Sequence, residues 1–193
     1  MSEPSRWQLE RYLPLLRLRA RQLQLDRRLK RLWDSSDIVQ DTYCRALEKL
    51  DQFEGGPSEG KLVRWLQRIL DNIVKDKIDA AHAQKRDIGL VQSMHEALSE
   101  SHGRLEKILE AAQSSPSERA EREELLLKVS EALERLPQDQ RDVVILHHVM
   151  EATASKIAEQ MGCTRSAVVG LLCRGMKKLR KILQDEGPDV KEP

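Results

Sequence analysis

The chain has 193 residues, of which 34% are charged, 39% hydrophobic and only 3% aromatic, a balance that suits an all-α fold of one ordinary domain or two small ones. Its longest aliphatic run is four residues (143–146), its opening MSEPSRWQLE lacks an apolar signal core, and cysteines 44, 163 and 173 have no metal-ligand spacing, so membrane spanning, export and a disulfide scaffold are set aside in favour of free, mostly buried thiols in a reducing cytoplasm. The net charge of +1 conceals segregation: residues 1–35 carry +5, residues 36–60 carry −4, and residues 163–183 carry +6 with no acid at all.

In chain order, residues 6–32 read as a basic amphipathic helical stretch with Leu13, Leu16, Leu23 and Leu29 at apolar positions, and Pro14 starts or kinks a helix there. Ser35 or Ser36 caps the next helix, which runs to about Leu50 with Ile38, Val39, Thr42 and Ala46 at helical intervals. EGGPSEG (54–60) is a loop by its Gly and Pro content. Leu62, Trp65, Leu66, Ile69, Ile73 and Ile78 then mark a helix with Arg and Lys on its other face. Residues 1–90 are thus expected to form a bundle of three or four helices.

Residues 91–114 are acidic and Ser-rich, with Met94, Leu98, Leu105, Ile108 and Leu109 at loosely helical spacing, and are expected to be a partly helical connector. The second unit, 115–185, opens on Ser115-Pro116-Ser117-Glu118, a capping serine followed by proline and an acid in the first turn. Its first helix runs to Pro137 and its second covers about 139–150. Two further helices fill 153–183, and an acidic tail, 186–193, closes the chain.

The stretch from 153 to 172 carries the sharpest local pattern. Thr153 can cap a short helix with Ile157 and Met161 inward and a small Ala158 where a second helix must cross. Gly162 suits a left-handed helix end, Cys163 plugs the turn, Thr164 caps the next helix, and Val168, Leu171 and Leu172 pack it back. That order describes a helix-turn-helix, which places its second helix in a DNA major groove, although an ordinary helical hairpin shares much of the pattern. The acid-free basic second helix tips the reading towards DNA. Thr164, Arg165 and Ser166 lie at its N-terminal end, where side chains reach base edges or phosphates; Gly170 permits close approach; and Arg174, Lys177 and Lys178, with Arg180, suit phosphates. Each basic side chain could equally be only solvated.

Three segments together carry a resemblance: SDIVQDTYCRALEKLDQFEG (36–55), WLQRILDNIVKDKI (65–78), and the run from SPSERAEREE to MKKLRKIL (115–183). In that order they resemble the extracytoplasmic-function group of bacterial sigma-70 factors, across some 140 of the 193 residues. The resemblance implies a first domain that binds the β′ clamp coiled coil of core RNA polymerase and the promoter −10 element, and a second that binds the −35 element and the β flap. It places Asp37, Gln40 and Asp41 on the polymerase-docking helix, where exposed carboxylates and an amide can meet a basic partner helix. It makes Asn72 and Lys75 candidates for the −10 face, with Arg64, Arg68 and Lys77 on backbone phosphates, Trp65 in the core in preference to a base-stacking platform, and Asp76 either holding an Arg or touching DNA. Promoter DNA and core polymerase are the expected partners, and the resemblance admits an anti-sigma protein as a third. Val169 and Ala154 depart from the family's usual Lys and aromatic.

Other chemistries are set aside. Gly55 to Lys61 match the GxxxxGK spacing of a phosphate loop, but Leu62 stands where the magnesium-binding Ser or Thr belongs and no strand precedes it. His147-His148 and His95/His102 lack cysteines at matching offsets, so no metal or cofactor is expected, and no catalytic constellation stands out. The alternative reading is a dimeric helix-turn-helix regulator that binds duplex DNA without polymerase. Such a protein has no reason to carry the Asp37–Asp41 docking segment.

Overall fold

The computed structural model describes residues 9–30, 32–53, 59–85, 88–110 and 116–185. Among these the regular elements are all helical: α1 (Leu13–Leu25), α2 (Ser35–Glu48), α3 (Glu59–Lys85), α4 (Ile88–Glu110), α5 (Pro116–Glu134), α6 (Gln138–Val144), α7 (Ala154–Met161) and α8 (Arg165–Asp185). Short 3₁₀ turns cover Leu9–Tyr12 and Leu50–Gln52, and a π-helical turn covers Ile145–Val149. The 54–58 part of the Gly-rich loop, the Ser115 cap and the acidic tail lie outside the described residues. Among the described residues no helix is long and apolar enough to cross a membrane. The chain forms two compact units, Met1–Leu127 and Lys128–Pro193, so the division falls within α5.

The first unit is organised by one apolar core. Leu15, Leu16, Ala20 and Leu23 of α1, Ile38, Val39 and Ala46 of α2, Leu62, Leu66, Leu70, Ile73 and Ile78 of α3, and Met94, Ala97 and Leu98 of α4 meet there. Their helical spacing gives each helix one apolar stripe, which is the condition for burying it against neighbours. The expected 6–32 helix is shorter than its periodicity suggests. Asp26 ends it: its carboxylate accepts from the Arg28 backbone N–H at 2.9 Å and from the Arg28 guanidinium at 2.9 and 3.0 Å, a local bond that competes with helix continuation. The α2 cap is also shifted by one. Asp34, rather than Ser35 or Ser36, accepts from the Ser36 N–H at 2.8 Å, and its charge further favours the positive end of the helix. Glu59 and Gly60, expected in the loop, already belong to α3.

The largest departure concerns residues 91–114. Most of that stretch is α4, and it packs on α1 and α3 rather than joining two domains loosely. Polar groups fasten it as well. Glu100 accepts from Arg28 at 2.8 Å, Ser101 bonds the buried Arg19, His102 Nδ1 lies 2.6 Å from Asp71, and His95 Nε2 lies 2.9 Å from Asp79. Acidic and Ser-rich composition suggested a solvated strap; in the fold those residues answer basic and acidic partners on α1, on the turn after it and on α3.

In the second unit Leu133 and Leu136, residues 143–146, Ile157, Val168 and Leu179 are all buried, and α6 and α7 both pack on α8. The second helix, expected to reach about Met150, is α6 followed by the π turn, in which the Met150 N–H bonds the Ile145 carbonyl at 3.0 Å. Gly175 is buried where α8 runs close against α6. A Cβ there would lie 3.1 Å from Val144 Cγ2 and 3.4 Å from the Gln140 carbonyl oxygen.

Candidate nucleic-acid interface

The turn between α7 and α8 is built from the residues the sequence marks. Thr153 Oγ1 accepts from Lys156 N–H at 3.4 Å, Gly162 is left-handed (φ 65°, ψ 34°), and Thr164 Oγ1 accepts from Ala167 N–H at 3.1 Å. A left-handed residue at that position costs a side chain more than glycine. Ile157, Ala158 and Val168 are buried between the helices, whereas Met161, Cys163, Leu171 and Leu172 are half-buried.

Burying Val168, Gly175 and Leu179 fixes which side of α8 faces outward. Thr164, Arg165 and Ser166 are exposed at its N-terminal end, and Arg174, Lys177, Lys178, Arg180 and Lys181 are exposed further along. The Arg174 guanidinium folds back over Gly170, 3.2 Å from where a Cβ would stand, so this glycine makes room for an arginine of its own helix. With no acid between residues 163 and 183, every charge on the outward side is positive, the electrostatics that phosphates require.

In the first unit α2 turns an acidic side outward. Asp37, Gln40, Asp41, Cys44, Leu47 and Glu48 are all exposed, and their 3- and 4-residue intervals put them on one stripe. On α3, Arg68, Asn72 and Lys75 are exposed and Arg64 is half-buried; at intervals of four, four and three these also share a side. Lys77 does not join them. Two residues beyond Lys75 it turns towards α2, where its Nζ lies 3.1 Å from Asp41 Oδ2. Asp76 Oδ2 lies 3.4 Å from Arg45 Nη1, an exposed pair that matches one of the two roles expected of it. Trp65 is half-buried against the core, its ring 5.1 Å from that of Phe53 at a 46° tilt. Leu62 is fully buried, which removes any part in a phosphate loop.

Sequence reasoning missed the polar cluster beneath these surfaces. Arg19, 1% exposed, bonds Gln22 Oε1 at 3.2 Å, Asp71 Oδ1 at 3.0 Å and the Ser101 hydroxyl. Burial lowers the Arg19 pKa, and the Asp71 charge and hydrogen bond oppose that shift. The available signal was an arginine at an apolar interval between Leu16 and Leu23. The thiols also differ from expectation: Cys44 and Cys173 are exposed and Cys163 is half-buried, because the first two fall on the outward sides of α2 and α8.

The two units correspond to two known sequence families. Residues 9–83 match sigma-70 region 2, and residues 126–179 match sigma-70 region 4. A relative from Rhodopseudomonas palustris, the ECF RNA polymerase sigma factor EcfG, is 28% identical over 160 residues, covering 80% of this chain and 77% of its own. The ECF RNA polymerase sigma-E factor of Escherichia coli K12 is 27% identical over 151 residues, covering 78% of this chain and 74% of its own. The chain belongs to the extracytoplasmic-function group of the sigma-70 family.

As a sigma factor it binds core RNA polymerase and promoter DNA and directs transcription initiation. Among solved structures, the sigma factor RpoE of Bartonella quintana, in complex with the anti-sigma factor NepR, is 21% identical and covers 94% of this chain and 98% of its own, at a TM-score of 0.34. In this sigma factor region 2 matches α1 to α3, while α4, which lies beyond that match, adds its own stripe to the same core.

Proposed function

We propose that this sigma factor divides its work among three surfaces. The α2 stripe of Asp37, Gln40 and Asp41 docks on the basic β′ clamp coiled coil of the polymerase. The α3 stripe of Arg64, Arg68, Asn72 and Lys75 meets the −10 element. The N-terminal end of α8, with Thr164, Arg165 and Ser166 at base edges and Arg174, Lys177 and Lys178 on phosphates, seats in the −35 major groove while the second unit meets the β flap. Domain limits follow the fold, with α4 counted in the region 2 unit. The factor works in the cytoplasm and makes or breaks no covalent bond; its effect comes from positioning polymerase and holding opened DNA. An anti-sigma protein belongs to the proposal as a third partner.

The observation that carries this reading is the outward side of α8: residues fixed by a buried Val168 and Leu179, exposed polar groups at the helix start, and no acid for 21 residues. Phosphate contacts supply salt-dependent affinity and a few base contacts supply choice of site. A dimeric regulator acting without polymerase has no use for the acidic stripe on α2. Run-off transcription with purified core enzyme tests the division. Arg165→Ala with Arg174→Ala is expected to weaken binding upstream of the start site by about tenfold to a hundredfold, at 1–3 kcal/mol for a base contact, with polymerase binding intact. Gln40→Ala with Asp41→Lys is expected to reduce co-purification with polymerase. Loss of both functions in either variant would contradict the separation.

A further inference from the structure

We infer that Val169 reads the C5-methyl group of a thymine in the major groove; this rests on the reading of α8 as the DNA-seated helix. Among the described residues of the second unit Val169 is the large apolar side chain left exposed, at 51%, although it stands in an otherwise cationic surface. Packing does not account for it, because the adjacent Val168 is fully buried and already fills the core position. Helix formation does not account for it either. A β-branched side chain loses rotamer freedom in a helix and is a poorer helix former than lysine or alanine.

Its neighbours say what it meets. Arg165 lies one turn before it and Cys173 one turn after, both exposed, and residues four apart stack along one side of a helix. An exposed thiol behaves as a small apolar group, so Val169 and Cys173 make a short apolar strip. Arg165 and Ser166 stand at its start and Lys177 beyond its end. The absence of any acid from 163 to 183 makes the occupant an anion, and the major groove offers such a helix hydrogen-bonding edges and one kind of apolar group, the thymine methyl. On one flank of the strip the Arg174 guanidinium lies over Gly170.

The test uses the full chain assembled with core polymerase. Duplexes are selected from a randomised pool by the reconstituted holoenzyme, and each thymine of the upstream element is then replaced singly by deoxyuridine. At one position, or two adjacent ones, uridine is expected to weaken binding about fourfold, the worth of one buried methyl at about 0.8 kcal/mol. Val169→Ala is expected to lose a similar factor on the thymine duplex and to show no further loss on uridine at that position. Unchanged thermal melting of Val169→Ala by circular dichroism excludes a folding effect. If no uridine position matters, or if the penalty persists in Val169→Ala, the inference fails while the DNA role of α8 stands. If the holoenzyme selects no sequence, that role fails and takes the inference with it. If sedimentation without DNA shows that Val169→Ala abolishes a dimer, the exposed side chain serves self-association and the inference is wrong.

Discussion

Asp41 of α2 and Lys77 of α3 form an ion pair, Oδ2 to Nζ at 3.1 Å, with about half of the aspartate and a third of the lysine exposed. The pair joins a residue expected to grip polymerase to one expected to touch DNA. A lysine whose charge is already answered by a carboxylate contributes little to counterion release. Measured as the slope of log affinity against log salt, Arg68→Ala and Lys75→Ala are each expected to reduce the promoter-binding slope by about one. Lys77→Ala is expected to leave it unchanged. It should instead strengthen polymerase binding, by no more than about fivefold, since an exposed pair is worth about 0.2–1 kcal/mol. A slope lost with Lys77 would return it to the DNA surface.

Asp71 bridges Arg19 of α1 and His102 of α4 from its place on α3. Replacing Asp71 by Ala leaves a buried guanidinium without its carboxylate, a loss of about 3–5 kcal/mol. Every Trp of the chain lies within residues 1–65, so Trp fluorescence in urea follows this unit selectively. Asp71→Ala is expected to shift the fluorescence midpoint sharply down, whereas Arg19→Met combined with Asp71→Leu should recover most of the loss. An unaffected midpoint in Asp71→Ala would mean that the cluster adds nothing to stability.

What the sequence disclosed and what it hid follow from range. Caps and turns around α7 and α8 depend on residues two to four apart, and the helix-turn-helix was legible down to Gly162 and Thr164. Asp34 was overlooked as a cap because two serines beside it carry the same preference. The place of α4 was hidden because its partners are distant: Arg19 is 82 residues from Ser101, and Asp71 is 31 from His102. Composition alone made that segment look like a strap. Lys77 was grouped with Arg64 and Arg68 by type, although a nine-residue step from Arg68 reverses the side of a helix. Gly175 was passed over for Gly170, since nothing local distinguishes a glycine under a neighbouring helix from one beneath a flexible arginine.

Gly175 gives a third prediction. The Val144 methyl can turn aside from a new side chain, but the Gln140 carbonyl is backbone and cannot. Gly175→Leu is expected to force α6 off α8 at a cost of about 1–3 kcal/mol. Because residues 128–193 hold no Trp, Tyr or Phe, the loss should appear in helical circular dichroism while Trp fluorescence keeps its midpoint. Coincident shifts in both signals would show that the two units unfold together.

His148 supplies the pH-dependent case. Partial burial lowers its pKa below the usual histidine value, and the neighbouring His147, its ring centroid 4.8 Å away and edge-on, adds to the lowering. The unfolded chain therefore takes up a proton at this site more readily than the folded one. Stability of the second unit should be level above an unfolded-state pKa of about 6.5 and fall as pH drops through and below it. Hydrogen exchange at the buried amides of residues 143–146, corrected for intrinsic rates at pH 7.5 and 5.5, measures that fall. His148→Gln, which carries no titrating ring, should flatten the difference. A fall of equal size in His148→Gln would assign the acid sensitivity to another group.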